Sequence, residues 1–311
     1  MAAYKKKKKK IKRTQEPNEE GQKEVSVFPT VHWFPGHMAK ATRMIKGYIS
    51  KVDVVIELLD ARIPKSSSNP VLTELIGQKP HIVVLNKSDL ADPVMTKAWK
   101  ENFQKEGMTV IDITSTTSRG IKALVRAVEV LSKPVIDKWL AKGIKARPIR
   151  TMILGIPNVG KSTLINTLAG TAATRTANKA GYTRGQQWVH IGKNIELLDT
   201  PGILWPKLED QTGAAKLAMT GAIADDVVDL ESIATQLISA IVMTDKTRLE
   251  ERYKFTLSQE DTVDTILTMI GKKRGCLVSG GLIDMDKARR VLMTDYRDGR
   301  LGRLTLDAVE G

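Results

Sequence analysis

The sequence predicts an α/β protein, with a doubly wound, mainly parallel sheet followed by a small all-α C-terminal domain. Three observations predict this fold class. Short apolar runs typical of buried strands alternate with helical stretches between residues 52 and 198. A glycine-rich loop with the pattern of a phosphate-binding loop joins one such strand to one such helix. After residue 205 the strand patterns fade, and apolar residues recur at helical spacing.

The predicted elements follow in chain order. Buried strands are predicted at residues 52–59, 81–86, 110–113, 151–154 and 194–198, with helices between them that include 121–131 and 162–168. Residues 186–190 and 195–198 flank Gly192-Lys193-Asn194, which predicts an antiparallel hairpin at the sheet edge. Further helices are predicted around residues 227–242, 261–270 and 286–296.

Charge is distributed unevenly along the 311 residues, whose formal net charge is +14. Residues 1–24 carry +5, including an unbroken lysine run at 5–10, and are predicted to be a disordered tail. Residues 25–204, the predicted α/β domain, carry +12, and residues 205–311, the predicted helical domain, carry −3. This excess favours a polyanionic partner over ordinary solubility, and nucleic acid above others, although charge does not separate RNA, DNA and an acidic membrane surface.

The chain start and the cysteine content predict a cytoplasmic protein. Residues 1–10 resemble neither a secretory signal nor a transit peptide, and no apolar run is long enough to span a bilayer, so no membrane partner is expected. Cys276 is the only cysteine, which fits a reducing compartment.

The glycine-rich loop is Gly155-Ile-Pro-Asn-Val-Gly-Lys-Ser162, a match to the GxxxxGK[ST] phosphate-binding pattern. Its backbone N–H groups are expected to surround phosphate oxygens at a helix N-terminus, Lys161 to neutralise the terminal phosphates, and Ser162 to bind Mg²⁺. A chance glycine-rich turn is the alternative, and the strand before it and helix after it argue against that. The predicted contacts from this loop are Asn158, Val159, Gly160, Lys161, Ser162 and Thr163.

The sequence Asn86-Lys87-Ser88-Asp89 predicts that the base of the bound nucleotide is guanine. It resembles the NKxD guanine motif of GTPases. The Asp89 carboxylate is able to accept from the ring N–H and the exocyclic amine of guanine, a donor pair that adenine lacks. An Asx-capped turn is the alternative for these four residues alone. Thr114 and Ser115, with Thr116, are expected over the guanine edge on a looser match.

A third motif, Asp199-Thr-Pro-Gly202, follows the strand at 194–198. It resembles the GTPase motif in which the aspartate reaches Mg²⁺ through water and the glycine N–H meets the γ-phosphate. Thr183 is the candidate switch threonine that completes the Mg²⁺ shell. The predicted metal residues are therefore Ser162, Thr183 and Asp199, with Gly202 as a nucleotide contact.

The motifs occur in permuted order, because the guanine motif at residue 86 precedes the phosphate loop at 155 and Asp199. Together with Trp33-Phe-Pro-Gly-His37-Met-Ala-Lys-Ala41 and Asp60-Ala-Arg62, they resemble the circularly permuted ribosome biogenesis GTPases, most closely the ribosome biogenesis GTPase A family, over residues 30–311. The resemblance implies a GTPase that binds GTP and GDP, contacts rRNA through its helical domain, and acts in late maturation of the large (50S) ribosomal subunit, whose particle is expected to stimulate it. A monomer is expected, although the sequence does not determine the oligomeric state. Since the segment from Thr183 to Gly202 leads into the helical domain, we expect hydrolysis to reposition that domain.

Hydrolysis requires an oriented water molecule, yet Ile203 stands where many GTPases have a glutamine. His37 is the candidate catalytic residue, supported by the family resemblance, because imidazole is able to hold or deprotonate water near neutral pH. Capping of the following helix or contact with RNA is the alternative. Asn158 resembles the asparagine that binds K⁺ in potassium-stimulated GTPases, and a turn-forming role is equally open.

Two further sets of charged residues receive sequence-based roles. For Asp60-Ala-Arg62 we prefer an intramolecular Asp–Arg pair that shapes a loop. RNA contact is favoured over a solvated helix face for the basic residues of 272–303, which number nine against four acidic ones. These predicted RNA contacts are Lys272, Lys273, Arg274, Arg289, Arg290, Arg297, Arg300 and Arg303.

Two other functions remain open from the sequence. The chain could be an RNA-binding assembly factor in which nucleotide only sets conformation and hydrolysis is incidental, which the basic tail and Ile203 keep possible. An ATP-dependent P-loop enzyme is the third reading, and Asn86 and Asp89 argue against it.

Overall fold

One mainly parallel sheet forms the centre of the α/β part. The computed structural model describes residues 36–172, 188–200, 202, 204 and 210–309. Within these ranges the sheet has six strands in the order β3-β2-β1-β4-β6-β5. They are β1 (Val54–Asp60), β2 (His81–Asn86), β3 (Thr109–Asp112), β4 (Ile149–Gly155), β5 (Trp188–Ile191) and β6 (Ile195–Leu198).

Strand pairing agrees with the pattern of the sequence. β1 pairs in parallel with both β2 and β4, β2 with β3, and β4 with β6. Only β5 is antiparallel, and it pairs with β6 across the turn at Gly192. The prediction of a doubly wound, mainly parallel sheet with one edge hairpin is confirmed. All seven residues of the central strand β1 are buried, which explains why its sequence is almost continuously apolar.

Eleven α-helices are present in the described ranges. Six accompany the sheet, and five follow β6. They are α1 (Gly36–Ile49), α2 (Pro64–Ser67), α3 (Pro70–Ile76), α4 (Pro93–Lys105), α5 (Ile121–Ala141), α6 (Lys161–Ala172), α7 (Gln211–Met219), α8 (Leu230–Asp245), α9 (Thr247–Tyr253), α10 (Val263–Arg274) and α11 (Met285–Arg297). None of these helices has both the length and the apolar character needed to cross a membrane.

The helix α5 is longer than the sequence predicts, because it continues through Pro134 instead of ending near residue 131. Proline removes one backbone donor from a helix interior. Here Pro134 is exposed, and so is Val130 one turn earlier, whose carbonyl loses its helical partner. The helices α7 and α9 were not predicted. In α7 the buried face is built largely from Gly213, Ala214 and Ala215, which give little apolar periodicity.

Several C-terminal helices begin with an aspartate N-cap. Asp210, Asp229 and Asp284 each accept a hydrogen bond from a backbone N–H in the first turn of α7, α8 and α11 respectively. Such caps satisfy donors that have no partner inside the helix. Part of the acidic character of the C-terminal third is therefore used to start helices.

The apolar core continues across residue 205, where the sequence places a domain boundary. One cluster of buried side chains includes Ile56 and Ile153 from the sheet together with Leu237, Leu267 and Leu304 from the C-terminal third. The division into domains at 25–204 and 205–311 stays a prediction. The tail at 1–24 lies outside the described residues.

The last described stretch, residues 301–309, returns to the α/β part, and we term it the C-terminal segment. The Leu304 N–H donates to the Leu90 carbonyl at 3.0 Å, and the Leu306 N–H donates to the Arg62 carbonyl at 2.8 Å. The Trp99 indole N–H of α4 donates to the Asp307 carbonyl at 3.2 Å. The C-terminal segment is therefore bound along the loops that follow β1 and β2.

Candidate nucleotide-binding site

The predicted motifs lie at one edge of the sheet. The phosphate loop follows β4, Asn86 to Asp89 end and follow β2, Thr114 and Ser115 follow β3, and Asp199 follows β6. Parallel strands place their carboxyl ends together, and α/β proteins bind ligands at that edge. The permuted order of the motifs therefore does not separate them in space.

The phosphate loop has the backbone that its sequence predicts. Asn158 and Gly160 have positive φ angles of 56° and 105°, and α6 begins at Lys161 directly after the loop. The Lys161 Nζ atom donates to the carbonyls of Gly155 at 3.1 Å and Ile156 at 2.7 Å. Burial lowers the pKa of Lys161 to about 8, an effect that the negative charge of Asp199 partly opposes. Val159 is buried beneath the loop, whereas Ser162 and Thr163 are exposed in the first turn of α6.

Asn86 joins three of the loops. Its Nδ2 donates to the Val159 carbonyl of the phosphate loop at 2.8 Å, and its Oδ1 accepts from the Ser115 N–H at 3.2 Å and Ser115 Oγ at 2.8 Å. The side chain is buried, and a Cβ atom added to Gly160 would overlap its Nδ2 atom. The contacts of Asn86 therefore position the phosphate and guanine loops relative to each other.

In the rest of the guanine motif, Ser88 and Lys87 contact neighbouring loops, whereas the carboxylate of Asp89 is exposed. Ser88 is buried, and its Oγ lies 3.2 Å from Thr114 Oγ1. The Lys87 Nζ donates to the Asn158 carbonyl at 2.8 Å and to Asp60 Oδ2 at 3.0 Å. The side chain of Asp89 is exposed at the loop surface. This arrangement leaves Asp89 accessible to a guanine base.

Asp60 and Arg62 form the intramolecular pair that the sequence predicts. Arg62 Nε and Nη2 donate to the two carboxylate oxygens of Asp60 at 2.9 and 2.8 Å, and both side chains are buried. Burial alone would raise the pKa of Asp60, but the charges of Arg62 and Lys87 hold it well below its usual range. The sequence did not reveal that Arg62 also reaches the C-terminal third, where its Nη1 donates to the Arg297 carbonyl at 3.3 Å.

The described candidate metal residues have donor groups that suit Mg²⁺. Ser162 offers a hydroxyl at the start of α6, and Asp199 offers an exposed carboxylate at the end of β6. Oxygen ligands and the substrate's own phosphates are what Mg²⁺ prefers. Burial raises the pKa of Asp199, and Lys161 and the Thr200 N–H oppose that shift. Gly202 lies against the phosphate loop, because an added Cβ would stand 2.7 Å from Pro157 N and 2.9 Å from Lys161 Nζ.

Comparison with known proteins assigns a family to this site. Residues 150–272 match the family described as 50S ribosome-binding GTPase. The Ribosome biogenesis GTPase A of Bacillus cereus is 47% identical over 280 residues, which are 90% of this chain and 94% of that protein. The chain belongs to the ribosome biogenesis GTPase A family. It is therefore a P-loop GTPase, an enzyme that hydrolyses GTP.

Solved structures of similar proteins have the same fold. A GDP-bound YlqF structure is 28% identical to this GTPase with a TM-score of 0.65, and the match covers 85% of this chain and 98% of that one. The GNP-bound YlqF from T. maritima is 29% identical with a TM-score of 0.62, and the match covers 86% and 97% of the two chains.

Three residues that bear on hydrolysis and metal binding lie outside the described part of the site. His37 falls within α1, but its side chain is not among those that the structure describes, and Thr183 and Ile203 lie in ranges without description. Their roles in hydrolysis and metal binding stay predictions.

Most of the arginines predicted to contact RNA are bound within the GTPase itself. Arg297 pairs with Asp225 at 2.6 Å and donates to the Ala218 and Met219 carbonyls. Arg303 donates to the Ser88 and Ala91 carbonyls. Three more form ion pairs: Arg274 with Asp295, Arg289 with Glu231 and Asp286, and Arg300 with Asp295 and Asp298. Sequence counts charge but does not show which charges are already paired. The RNA-contact role of these five arginines stays a prediction.

Asn158 also has a contact that the sequence did not predict. Its Nδ2 donates to the Gly221 carbonyl, just beyond α7, at 2.7 Å. This bond joins the phosphate loop directly to the helices that follow β6, residues 210–300, which we term the helical part. No local pattern in the sequence signals it, because the two residues are 63 positions apart.

Proposed function

We propose that this GTPase is an assembly factor in late maturation of the large ribosomal subunit, and that the particle stimulates its GTP hydrolysis in the cytoplasm. The observation that carries the proposal is the 47% identity to the Bacillus cereus Ribosome biogenesis GTPase A across 94% of that protein. The convergence of all described motif loops on one sheet edge supports the catalytic half of the proposal. A monomer that alternates between GTP and GDP is the simplest form of such a factor.

The residues of the site suggest how the nucleotide is held. Asp89 reads the base, Gly160 and the neighbouring backbone N–H groups surround the phosphates, and Lys161 places its charge on them. Ser162, Asp199 and Thr183 would hold Mg²⁺, which would neutralise charge on the phosphate oxygens. The Gly202 N–H would contact the γ-phosphate, since this glycine already lies against Pro157 and Lys161.

We propose that His37 orients the attacking water. The reason is the residue after Gly202, since Ile203 has no hydrogen-bonding side-chain atom. Replacing His37 with alanine should lower the particle-stimulated rate at least about a hundredfold, as expected for loss of a general base, while GTP affinity stays the same. An unchanged stimulated rate would assign His37 to capping or RNA contact.

A potassium ion at Asn158 is proposed as a second cofactor. Asn158 is exposed, and within the described residues its Oδ1 accepts no hydrogen bond, whereas Nδ2 is bound to Gly221. An oxygen so placed beside the phosphates suits a monovalent cation that stabilises developing charge. Its φ of 56° supports the turn-forming alternative equally. Equal GTPase rates in K⁺ and Na⁺ would remove the potassium site.

Cations without intramolecular partners mark the surfaces where rRNA would bind. In the helical part Lys272, Lys273 and Arg290 are exposed and form no ion pair with a described residue. The end of α5 and the loop after it carry four more exposed lysines that have no described ion-pair partner. We term these the α5-loop surface: Lys133, Lys138, Lys142 and Lys145. Cations without ion-pair partners are the most available for phosphate contacts, so RNA is proposed to bind at these surfaces ahead of Arg297 and Arg303.

The decisive experiment measures GTP hydrolysis with purified large subunits, small subunits or no particle, at several salt concentrations. Stimulation by large subunits alone, fading as salt rises, is the expected result. The variant Lys161→Ala serves as the control for contaminating GTPases. If GTP binds normally but large subunits do not stimulate, the ribosome-activated function is overturned.

A binding module is the second candidate function. The contact between Asn158 and Gly221 favours it, because this contact allows nucleotide to set the position of the helical part without hydrolysis. With His37→Ala, normal binding to precursor particles and normal maturation would support the binding module. Normal binding with stalled maturation would support the hydrolysing factor. Competition by GTP but not ATP separates both from an ATP-dependent enzyme.

A further inference from the structure

The guanine loop, residues 86–91, is held from two sides. Its inner side belongs to the sheet, where Asn86 binds Ser115 and Val159 and the Ser88 N–H donates to the Ile113 carbonyl at 3.1 Å. Its outer side faces the C-terminal segment. Residues more than 200 positions away in sequence thus complete the hydrogen bonding of the loop that reads the base.

Arg303 is the main contact on the outer side. Its Nη2 donates to the Ser88 carbonyl at 2.8 Å, and its Nε donates to the Ala91 carbonyl at 2.7 Å. These two carbonyls flank Asp89, and the Ser88 carbonyl belongs to the peptide that joins Ser88 to Asp89. A planar guanidinium with two fixed donors is able to hold both at once, which an ammonium group cannot do with the same geometry.

Neighbouring backbone groups extend the contact. The Leu304 N–H donates to the Leu90 carbonyl, and the Asp92 N–H donates to Thr305 Oγ1 at 3.1 Å. Leu90 also packs on the turn after α11, because a Cβ at Gly299 would stand 2.6 Å from Leu90 Cδ2. The loop therefore obtains hydrogen bonds at three successive residues, Leu90 to Asp92, from the C-terminal segment.

The C-terminal segment is fixed in turn to the helical part. The buried Asp307 carboxylate accepts from Lys216 Nζ of α7 at 2.8 Å and from the Ser66 N–H at 2.8 Å. At its other end the segment continues from α11, and Arg248 Nη1 donates to the Leu301 carbonyl at 3.3 Å. Movement of α7 or α11 would therefore be transmitted to the segment and to the loop it supports.

We infer that Arg303 is a positioning residue for guanine recognition, which acts by holding the peptide on either side of Asp89, and that the C-terminal segment couples base affinity to the placement of the helical part. A carboxylate binds its base well when the loop that carries it is already held in place. A mobile loop would lose entropy on binding, which weakens that interaction. Coupling between sites is reciprocal. A partner that displaces the helical part would weaken guanine binding, and bound guanine would resist that displacement.

Arg303→Gln tests the inference in the full-length protein without any ribosomal particle. The affinities for GTP and inosine triphosphate (ITP) are measured by titration. ITP lacks only the exocyclic amine of guanine, from which Asp89 would accept a hydrogen bond. We expect GTP affinity to fall roughly tenfold and ITP affinity to fall less, so that the GTP-to-ITP preference shrinks. KM for GTP rises while kcat at saturating GTP is unchanged, because the phosphate loop is not altered. Arg303→Lys should recover part of the preference.

The matched control is Arg300→Gln. Arg300 lies three residues earlier, and its contacts among the described residues are with Asp295 and Asp298 in the helical part. The Arg300→Gln variant should retain the wild-type preference for GTP over ITP. If Arg303→Gln lowers the melting temperature but leaves that preference at the wild-type value, the role of Arg303 is structural and the inference is overturned. This outcome is independent of whether large subunits stimulate hydrolysis.

Discussion

At the residue scale, Lys161 has an unusual acid–base environment. Its pKa is lowered to about 8 by burial in the phosphate loop. Nucleotide phosphates would raise that pKa again, because they favour the charged ammonium. The protein should therefore take up a large fraction of a proton when GDP binds at pH 8.5, and much less at pH 7. Protons are taken up and not released because the Lys161 amine is partly neutral in the free protein and charged in the complex.

Proton uptake is measured by titrating GDP calorimetrically in two buffers of different ionisation enthalpy at each pH. The uptake should grow between pH 7 and pH 8.5, and GDP affinity should fall over the same interval. Lys161→Arg, which stays charged at both pH values, is the control and should show no growth in uptake. Equal uptake at both pH values in the wild type would contradict the prediction.

Glu57 is a second residue with a shifted pKa, and it lies in the centre of β1 outside the nucleotide site. Burial raises the pKa of Glu57 to about 7, while a hydrogen bond from Ser68 at 3.4 Å opposes the shift. A carboxyl whose pKa is raised by folding favours the folded state only while it is protonated. Stability should therefore decline as pH rises from about 5 through 7.

Glu57→Gln should remove this penalty and keep the hydrogen bond to Ser68. We expect the variant to gain stability relative to wild type above pH 7, by up to roughly 3 kcal/mol, and to show little difference near pH 5. Thermal melting at pH 5, 6, 7 and 8.5 gives the comparison. A constant difference between the two proteins at all four pH values would show that Glu57 does not titrate in this range.

At the element scale, the phosphate loop depends on the close approach of Gly160 to the guanine loop. Gly160 has φ of 105°, and an added Cβ would overlap Asn86 Nδ2. Gly160→Ala should therefore displace Asn86 from the Val159 carbonyl, destabilise the protein by about 1–3 kcal/mol and lower nucleotide affinity at least tenfold.

The chain contains a matched control within α6. Gly170 is a helical glycine with no neighbour within 4 Å of an added Cβ. Gly170→Ala should stabilise the protein by about 0.5–1 kcal/mol through helix propensity and leave nucleotide affinity unchanged. Urea unfolding and GDP titration of both variants give the comparison. Equal affinities for Gly160→Ala and wild type would show that the two loops do not need their close contact.

The elements also show what the sequence was able to predict. Local patterns identified the strands, the hairpin and the phosphate loop, because each depends on neighbouring residues in the chain. Parallel strand order then brought Asn86, Lys161 and Asp199 to one edge. The support that Arg303 gives to the guanine loop and the bond from Arg62 to Arg297 could not be predicted, since each joins residues more than 200 positions apart. The same limit explains why the sequence did not reveal the intramolecular partners of the arginines predicted to contact RNA.

At the scale of the whole molecule, the α5-loop surface and the candidate nucleotide-binding site lie at opposite ends of the parallel strands. The nucleotide motifs follow the carboxyl ends of the strands, whereas the loop that contains Lys142 and Lys145 leads into the amino end of β4. Exposed Leu140 and Ile144 lie among these lysines, and Arg147 stacks on the Trp139 ring at 4.5 Å. A polyanion bound at this edge would leave the nucleotide edge open to exchange.

Charge reversal at the α5-loop surface tests this arrangement. The double variant Lys142→Glu with Lys145→Glu should lower affinity for the large subunit at least about tenfold at low salt and reduce the salt dependence of binding, because two counterion-releasing contacts are lost. GTP hydrolysis without particles should stay at the wild-type value, since both lysines lie away from the nucleotide edge. Lys97→Glu with Lys105→Glu on α4 changes net charge equally and is the control. If both double variants lose the same affinity in a particle-pelleting assay, net charge alone drives binding and no specific RNA-binding surface exists at α5.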